Sequence, residues 1–288
     1  NYNLAHLTWL KVGGAADILF KPEDLEDLCE FLKQNAAILP ITVLGAGSNV
    51  IIRDAGIEGI VIKLGRGFTD ITFEENGDLS VGAACLNFNL AKFALNNSIA
   101  NFEFLVGIPG TVGGGVAMNA GAYGNEFKDI VTQVQAVDKK GKVHEIDAKD
   151  ITFIYRGNNL PKGLVITKVN FRSEKGDAEL IKAKMDEINK ARFETQPITE
   201  KTGGSTFANP IGHKAWQLID EAGLRGQSIG GASMSEKHCN FMINNGSATA
   251  SDMEELGEFI RKKVRQNSGI ELAWEIKRLG RNNGAVQD

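Results

Sequence analysis

The sequence predicts an α+β protein, in which a mixed region of short strands and helices precedes a second α/β region. Asn76-Gly77 and Lys140-Gly141 each lie between apolar alternating segments, which predicts two β-hairpins in the first region. A long and strongly charged helical segment then begins near residue 174. We therefore predict domains at 1–174, with subdomains of about 1–65 and 66–174, and at 175–281.

The individual elements follow from apolar periodicity, taken in chain order. The first helix covers 21–35, and Pro22 is expected in its first turn. Three strands are predicted within 41–65, on either side of a glycine loop. The remaining elements are the hairpin at 70–84, a helix at 86–97, a glycine-rich loop at 107–124, the hairpin at 131–147, a strand at 163–173, helices at 173–197, 213–223 and 251–267, and strands at 240–245 and 274–280.

Two of these helices carry more detailed expectations. The charged helix should turn a limited apolar face inward, formed by Leu180, Ile181, Met185, Ile188 and Phe193. The last helix should begin with a capping box made by Ser251 and Glu254. The small, polar residues 282–288 are expected to form a disordered tail.

Composition excludes several classes of function. A hydrophobic content of 42% predicts a globular protein with a core, and a net charge of −4 argues against a nucleic-acid partner. No apolar run reaches the length of a membrane span, so no membrane partner is expected. Three widely spaced cysteines fit reduced thiols in a cytoplasmic protein, and the four histidines show no ligand spacing, which predicts no metal site.

The first glycine segment, Leu44 to Asn49, follows a predicted strand and so requires comparison with the dinucleotide-binding fingerprint. It does not match, because Val50 stands where the third glycine should be and the next strand ends in Lys63 and Leu64 instead of an acidic residue. It also lacks the G-K-[ST] of a P-loop. Two interpretations remain, which are a plain tight turn and an anion-binding nest of backbone N–H groups.

The second glycine segment covers 107–124 and contains seven glycines, whereas a hairpin needs one or two. It could be a flexible surface loop, or backbone that lies against an extended, flat or phosphate-bearing ligand. The apolar residues Ile108, Val112, Val116 and Met118 favour the ligand, since flexible linkers are usually rich in serine and charge. Long loops without structure of their own are also usually functional.

A family resemblance joins these segments. From Thr8 to Gly280 the chain contains, in order, TWLKVGG, LGAGSN, GIPGTVGGGVAMNAGAYG, YRGN, GGSTFANP, SEKHCNFMIN and ELAWEIKRLG. This series resembles the UDP-N-acetylenolpyruvoylglucosamine reductase (MurB) family of peptidoglycan synthesis. The short spacing between Arg156 and Ser205 looks like the type II form, which lacks the extra loop and substrate-clamping tyrosine of type I.

The resemblance implies an FAD-binding fold of the vanillyl-alcohol-oxidase type, with two α/β subdomains and a C-terminal α/β domain that binds a UDP-sugar. It also implies that hydride passes from NADPH to FAD and then to an enolpyruvyl ether. It leaves the oligomeric state open and is compatible with a monomer. The residues that would bind FAD are Gly45, Ala46, Gly47, Ser48, Asn49, Gly107, Ile108, Pro109, Gly110, Thr111, Gly113, Gly114, Asn119, Ala120 and Gly121.

Three residues match the family's catalytic positions. Arg156 would face the enolate carboxylate, Ser205 would donate a proton, and Glu275 would orient or polarise the developing enol. Without the resemblance, these would be interpreted as a surface arginine, a turn serine and a solvated glutamate. The expected substrate contacts are Tyr155, Asn209 and Arg225, the last of them near the diphosphate.

The chain departs from the family at two positions, since the family often has serine at Asn158 and lysine at Ala208. The missing lysine removes one positive charge expected near a diphosphate. Two other functions remain open, another flavoenzyme of the same fold and a non-catalytic UDP-sugar binding protein. The former would lack the arginine, serine and glutamate together, and the latter would need no flavin.

Overall fold

A computed structural model describes residues 2–35 and 38–282 of the chain. The chain forms two compact units that alternate along the sequence. We call them the central unit, which comprises Ile18–Ala46 and Gly59–Ala191, and the C-terminal unit, which comprises Asn1–Asp17, Gly47–Glu58 and Arg192–Asp288. The predicted domains are consecutive in sequence, whereas these units are interleaved, and the assignment of one function to each domain stays a prediction.

The described residues contain helices and strands throughout both units. The helices are α1 (Leu25–Asn35), α2 (Asn87–Asn96), α3 (Val112–Ala117), α4 (Ala178–Thr195), α5 (Ala215–Glu221) and α6 (Ala250–Ser268). The strands are β1 (Tyr2–Asn3), β2 (Ala15–Phe20), β3 (Ile41–Val43), β4 (Val50–Ile52), β5 (Ile57–Ile62), β6 (Ile71–Phe73), β7 (Leu79–Gly82), β8 (Gly121–Ala122), β9 (Asn125–Glu126), β10 (Val131–Val137), β11 (Val143–Asp147), β12 (Phe153–Ile154), β13 (Gly157–Asn158), β14 (Val165–Phe171), β15 (Thr202–Ser205), β16 (Ser228–Ile229), β17 (Ala232–Met234), β18 (Phe241–Asn244) and β19 (Lys277–Leu279).

The central unit is built on an antiparallel sheet with the strand order β11–β10–β14–β7–β6. Buried and half-buried residues alternate along β14, so one face of the sheet points into the core. Val169 and Phe171 on that face pack in one cluster with Leu90 of α2, Val116 of α3 and Phe127. The glycine-rich α3 is thus attached to the largest apolar core of this unit.

Both predicted hairpins are confirmed. Ile71 pairs with Val81 across the first, and Val137 pairs with Val143 across the second. Gly77 and Gly141 have φ angles of 87° and 74°, in the left-handed region that favours glycine.

The first helix begins at Leu25 and not at Pro22. The carboxylate of Asp24 accepts the backbone N–H of Asp27 at 2.9 Å, and the Asp27 carboxylate accepts the N–H of Glu23 at 3.0 Å. The first bond satisfies an amide that the first turn leaves open, and the second holds the residue before Asp24, so together they fix the start of the helix after the proline.

The segment 107–124 is not the structureless loop that its composition predicts, because it contains α3. The Thr111 hydroxyl caps this helix by accepting the N–H of Gly114 at 3.4 Å. Glycine lowers helix stability by about 1 kcal/mol per residue relative to alanine. Complete burial of Val112 and Val116 offsets that cost, so tertiary packing stabilises the helix against its local propensity.

The charged helix α4 has a narrower inward face than predicted. Ile181, Met185 and Ile188 are buried, as expected. Leu180 and Phe193, however, are 72% and 64% exposed, and their predicted burial is wrong. Leu180 lies one residue before Ile181 and therefore points about 100° away from the buried stripe.

The C-terminal unit contains a second antiparallel sheet, in the order β15–β18–β17–β16. Helix α6 contributes Met253, Leu256, Ile260 and Val264 to the core of this unit, at the spacing of one helix face. Separately, β4 and β19 form a parallel pair in which Val50 is opposite Lys277 and Ile52 is opposite Leu279.

The predicted cap of α6 is wrong by two residues. Thr249 accepts the backbone N–H of Asp252 at 3.0 Å, and Asp252 accepts the N–H of Thr249 at 2.9 Å. The side chains of Ser251 and Glu254 bind other partners, because the serine hydroxyl donates to Asp54 and the glutamate pairs with Arg53. A T-x-x-D and an S-x-x-E pattern overlap here, and tertiary contacts select between them.

Two further expectations concern the chain as a whole. In the part that the structure describes, no helix is both long and apolar enough to cross a membrane. Of the predicted disordered tail, 283–288 lie outside the described residues.

Candidate functional site

A cavity of about 340 Å³ lies within the central unit. Its wall is formed by the end of β3 and the residues after it, the residues after β5 and after β7, α3 with its cap, and part of β14. Small residues and backbone dominate this wall. Five of the predicted FAD-binding residues line it, namely Gly45, Ala46, Thr111, Gly113 and Gly114.

Gly45 lies where the two glycine segments approach each other. A Cβ atom at this position would be 2.8 Å from the hydroxyl of Thr111, closer than real Cβ contacts. The Lys63 amino group donates to the Gly45 carbonyl at 2.6 Å, and burial lowers the pKa of Lys63, with a smaller effect from the charge of Lys21. Within the described part of the chain, the N–H groups of Gly45 and Ala46 donate to no acceptor, so both can bind an anion.

Three consecutive glycines of α3 meet different surroundings. Gly113 donates its N–H to the Ala83 carbonyl at 2.9 Å, and a Cβ at 113 would touch the Ala83 Cβ at 3.0 Å. A Cβ at Gly115 would lie 2.2 Å from the buried ring of Phe127. At Gly114 a Cβ would meet only the capping hydroxyl, at 3.4 Å, so this residue leaves the cavity wall open.

The rest of the second glycine segment lies away from this cavity but has well-defined contacts. Asn87 donates its backbone N–H to the Gly110 carbonyl at 3.0 Å and its side-chain amide to the Ile108 carbonyl at 3.1 Å. A Cβ at Gly107 would lie 2.9 Å from the ring of Tyr123. Among the described residues, the predicted FAD-binding residues of this segment that do not line the cavity are Gly107, Ile108, Pro109, Gly110, Asn119, Ala120 and Gly121.

Asn119 has a structural role that its sequence context did not reveal. It is buried, and its amide donates to the carboxylate of Glu126 at 2.9 Å and to the carbonyl of Ile154 at 3.1 Å. Its side-chain oxygen accepts the N–H of Lys128 at 3.1 Å. Because the side chain binds protein groups at both ends, any contact of Asn119 with FAD would come from its backbone.

Arg156 lies at the tip of the hairpin formed by β12 and β13. Its φ angle of 59° lies in the left-handed region, which costs roughly 1–2 kcal/mol for a residue other than glycine. The side chain of Asn158 donates to the carbonyls of Val116 and Ala117, at 2.9 and 3.3 Å, and so joins the hairpin to the end of α3. A strained arginine on a hairpin that is anchored in this way is typical of a functional position.

Charged and aromatic groups surround this arginine. The Arg156 guanidinium lies over the ring of Tyr155, 5.0 Å from its centroid, and Tyr155 is 52% exposed. A hydrogen bond from Lys128 is the main cause that lowers the pKa of the Glu126 carboxyl, and the charge of Arg156 lowers it further. The hairpin therefore presents a guanidinium and a phenol side by side.

Ser205 ends β15 in the C-terminal unit. Gly204, which precedes it, has a φ angle of 82°, and a Cβ at 204 would meet nothing within 4 Å. Gly203 is instead a packing glycine, since its Cβ would lie 3.1 Å from Leu10 and 3.2 Å from Ile276. Ser205 is thus half-exposed, with open space beside the neighbouring Gly204 and close packing at Gly203.

The structure brings Ser205 and Glu275 into neighbouring segments of the same unit. The carbonyl of Thr206 accepts the backbone N–H of Glu275 at 2.9 Å. On the other side, the Asn49 amide donates to the Glu275 carbonyl at 3.3 Å, and the Asn49 carbonyl accepts the N–H of Lys277 at 3.1 Å. Gly47, Ser48 and Asn49 belong to this unit, whereas Gly45 and Ala46 belong to the central unit.

Gly47 is held against the start of the chain. Its carbonyl accepts the N–H of Trp9 at 2.9 Å, and its φ angle is 67°. A Cβ at this position would lie 2.1 Å from the Leu7 carbonyl oxygen. The second half of the first glycine segment is therefore a tight turn whose glycine is required by packing.

Two of the predicted substrate contacts already have protein partners. The side-chain oxygen of Asn209 accepts the N–H of Ala215 at the start of α5, at 2.9 Å. Arg225 makes a two-pronged ion pair with Asp220, at 2.8 and 2.9 Å, and also donates to the Glu236 carbonyl. These contacts stabilise the local structure, and roles in substrate binding stay predictions.

Sequence reasoning missed Lys63 and the structural use of Asn158. Lys63 ends an apolar strand, where a lone lysine is the available signal of a buried polar contact. In the sequence, Asn158 stands out only as a departure from the family, since its partners lie about 40 residues earlier in the chain. Nothing local in the sequence identifies those partners.

Comparison with known proteins agrees with this arrangement. Residues 16–147 match the family model of an FAD binding domain, and residues 196–279 match that of the UDP-N-acetylenolpyruvoylglucosamine reductase C-terminal domain. A curated UDP-N-acetylenolpyruvoylglucosamine reductase of Rickettsia peacockii (strain Rustic) is 65% identical over 98% of this chain and 95% of that protein. One of Rickettsia bellii (strain RML369-C) is 63% identical over 98% of this chain and 93% of that protein.

A solved structure gives the same result. The crystal structure of UDP-N-acetylenolpyruvylglucosamine reductase (MurB) from Thermus caldophilus superposes with a TM-score of 0.84 at 35% identity. The match covers 96% of this chain and 97% of that one.

Together, the fold and the glycine-lined site define an FAD-dependent oxidoreductase of α+β architecture, as predicted. The chain belongs to the UDP-N-acetylenolpyruvoylglucosamine reductase family. The cavity of the central unit fits its FAD, because the wall lacks side-chain bulk at Gly45 and Gly114 and offers free N–H groups to a phosphate.

Proposed function

We propose that the protein reduces the enolpyruvyl ether of UDP-N-acetylglucosamine enolpyruvate to UDP-N-acetylmuramate, with NADPH as the reductant. When bound, FAD supplies the hydride that reaches the terminal carbon of the enolpyruvyl group. The chain's own residues then bind the carboxylate, stabilise the negative charge that develops beside it, and deliver a proton to the neighbouring carbon. We place the reaction in the cytoplasm, in line with the three free cysteines of the described residues.

Arg156 is the group we assign to the substrate carboxylate. A guanidinium offers a planar fork of N–H donors that matches two carboxylate oxygens. The left-handed backbone at Arg156 and the anchoring of its hairpin by Asn158 support a fixed orientation. Tyr155 packs against the same guanidinium and is our candidate for a further substrate contact.

Ser205 is the proton donor in this proposal. A serine hydroxyl gives up a proton readily only to a strong base, and an enolate carbon is such a base. Among the described residues, the Ser205 hydroxyl donates to no protein acceptor. Its position beside the open space at Gly204 supports access by a substrate.

Glu275 orients or polarises the developing enol. The observation that carries the proposal is the bond between the Thr206 carbonyl and the Glu275 amide, at 2.9 Å, which fixes the backbones of the proton donor and the carboxylate together. Proton delivery needs such fixed geometry, because small displacements lower the rate steeply.

Anaerobic stopped-flow measurement of the two half-reactions tests this assignment. Ser205→Ala should leave flavin reduction by NADPH nearly unchanged and slow substrate-dependent reoxidation by at least about 10²-fold. Ser233→Ala provides a matched control, since Ser233 lies on β17 of the same sheet and binds Asn245. Equal slowing of both half-reactions by Ser205→Ala would contradict its role as proton donor.

A further inference from the structure

Ser205 is followed by a short segment that lies between two neighbours. Ser205 is opposite Phe241 in the pairing of β15 with β18, and the next N–H, of Thr206, donates to the Asn240 carbonyl at 2.7 Å. On its other side, the Thr206 carbonyl binds the Glu275 amide. The backbone just after the proton donor therefore connects the β18 side of the sheet to the segment that carries the carboxylate.

The backbone ladder with β18 cannot continue to Phe207. The chain turns before β18, where Phe241 donates its N–H to the His238 carbonyl at 2.9 Å. An antiparallel strand would normally present a peptide group opposite Phe207 at this point. The N–H and carbonyl of Phe207, which is buried, need partners from elsewhere.

The side chain of Asn240 supplies both partners. Its oxygen accepts the Phe207 N–H at 3.0 Å, and its amide nitrogen donates to the Phe207 carbonyl at 2.8 Å. Asn240 is only 3% exposed, so these bonds form away from water, where hydrogen bonds strongly restrict geometry. The side-chain amide thus replaces the missing peptide and extends the ladder to Phe207, two residues past the proton donor.

The opposite edge of the same segment is also fixed. Ala208 donates its N–H to the Ala273 carbonyl at 2.9 Å, and Phe207 packs on Trp274 with ring centroids 5.2 Å apart. The peptides at 206 to 208 therefore transmit position between Asn240 and the segment of Glu275. Loss of the Asn240 bonds would free the backbone of Phe207, which directly follows Thr206, the residue that joins Ser205 to the Glu275 amide.

We propose that Asn240 is a positioning residue for the reaction, and that its side-chain amide fixes the Ser205 hydroxyl relative to Glu275 by bonding the backbone N–H and the carbonyl of Phe207. This inference rests on the proposed roles of Ser205 and Glu275. Asn240 does not touch substrate or cofactor in this scheme. It acts on proton delivery alone and has no part in flavin reduction.

The test compares Asn240→Asp with Asn244→Asp in the full chain with FAD bound. Asn240→Asp keeps the size of the side chain but removes the donor to Phe207 and places a carboxylate against that carbonyl. Asn244 is a matched control at the end of β18, the strand that directly follows Asn240, because it is also buried and its side chain binds the backbone of Leu10, Gly246 and Ala248. Both variants should lose thermal stability.

Only Asn240→Asp should slow substrate-dependent reoxidation, by about 10- to 100-fold, since misplacement by about 1 Å has effects of this size. Its rate of flavin reduction by NADPH and its substrate affinity should stay within about twofold of the parent protein. Unchanged reoxidation, equal slowing of both half-reactions, or equal slowing by Asn244→Asp would overturn the proposal. Asn240→Ser, which removes both bonds without adding charge, replaces the aspartate variant if that variant does not bind flavin.

A double variant distinguishes this inference from the proposed function. If Asn240 acts through the proton donor, Asn240→Asp should have little further effect on reoxidation once Ser205→Ala is present. Fully additive effects would overturn the positioning role. If Ser205→Ala alone leaves reoxidation unchanged, the proposed role of the serine fails. If Ser205→Ala slows reoxidation and Asn240→Asp does not, only the present inference fails.

Discussion

Alanine substitutions at two adjacent glycines of α3 should separate the packing of the central unit from the binding of FAD. Gly114 lines the cavity, and a Cβ there would meet only the Thr111 hydroxyl, at 3.4 Å. Gly115 does not line it, and a Cβ there would lie 2.2 Å from the ring of Phe127, which is fully buried. The added methyl group would thus face the cavity at position 114 and the Phe127 ring at position 115.

The expected effects on stability have opposite signs. Gly114→Ala should raise the free energy of unfolding of the FAD-free protein by about 0.5–1 kcal/mol, since alanine restricts the unfolded chain more than glycine does and no protein atom obstructs its methyl group. Gly115→Ala should lower it by about 1–3 kcal/mol, because the Phe127 ring must shift within a close-packed core. Urea unfolding of both proteins without FAD measures this difference.

For FAD binding, in contrast to stability, Gly114→Ala should be the more damaging of the two substitutions. A methyl group at 114 would occupy space on the cavity wall. We expect it to reduce the binding free energy of FAD by about 1.4 kcal/mol, which raises the dissociation constant about tenfold. Gly115→Ala, if folded at the assay temperature, should bind FAD more nearly like the parent protein. Titration of the FAD-free proteins with FAD, followed by flavin fluorescence, gives both dissociation constants. Normal FAD affinity in Gly114→Ala would refute the placement of FAD against this wall.

Substitutions at Trp274, Asn158 and Asp138 test three further sets of contacts. Trp274→Phe removes the outer indole ring that packs on Gly257 and the bond from the indole N–H to Glu258 at 2.8 Å, and should cost at least about 1.5–3 kcal/mol in urea unfolding. Asn158→Ala should release the hairpin of Arg156 from α3 and raise the KM for the UDP-sugar in steady-state assays, while flavin reduction by NADPH persists. A hydrogen bond from His144 is the main cause that lowers the pKa of Asp138 to about 2, and backbone N–H groups of the turn add to it. Because this folded-state pKa is below the unfolded value of about 3.9, the stabilisation is present above about pH 4 and lost as the pH falls through about 2, so the difference in melting temperature between the parent protein and Asp138→Asn should vanish over that window.

Local sequence signals predicted the element types well where those signals act over a few residues. The hairpin at Asn76-Gly77 and the apolar face of Ile181, Met185 and Ile188 need only period and turn chemistry. The exposed Leu180 shows the limit of this reasoning, since an apolar residue next to a buried stripe carries no sign of which side it faces.

Features that depend on distant partners could not be predicted. The helix α3 forms from glycines because Val116 and Phe127 pack in the same core, and no propensity scale indicates this. The interleaving of the two units, likewise, follows from contacts such as that between Arg53 and the Gly280 carbonyl, which are 227 residues apart.

In the candidate site, too, some features could be predicted from the sequence and others depend on distant partners. The composition of the second glycine segment favoured a ligand, that of the first left a plain turn equally open, and the family resemblance supplied the roles of Arg156, Ser205 and Glu275. Bonds from side chain to backbone, such as those of Asn119 and Asn240, were invisible in the sequence. Asparagine is common in turns, and its local context does not show that it is buried and fully bonded.

The parallel pairing of β4 with β19 has a consequence for synthesis of the chain. β4 leaves the ribosome long before its partner Lys277–Leu279 is made. While the residues between the two strands are translated, β4 therefore lacks this partner and has an open edge, which is a template for wrong strand pairing. We expect nascent chains that stall before residue 277 to aggregate or to recruit chaperones, and loss of β19 to be as harmful as damage to the core.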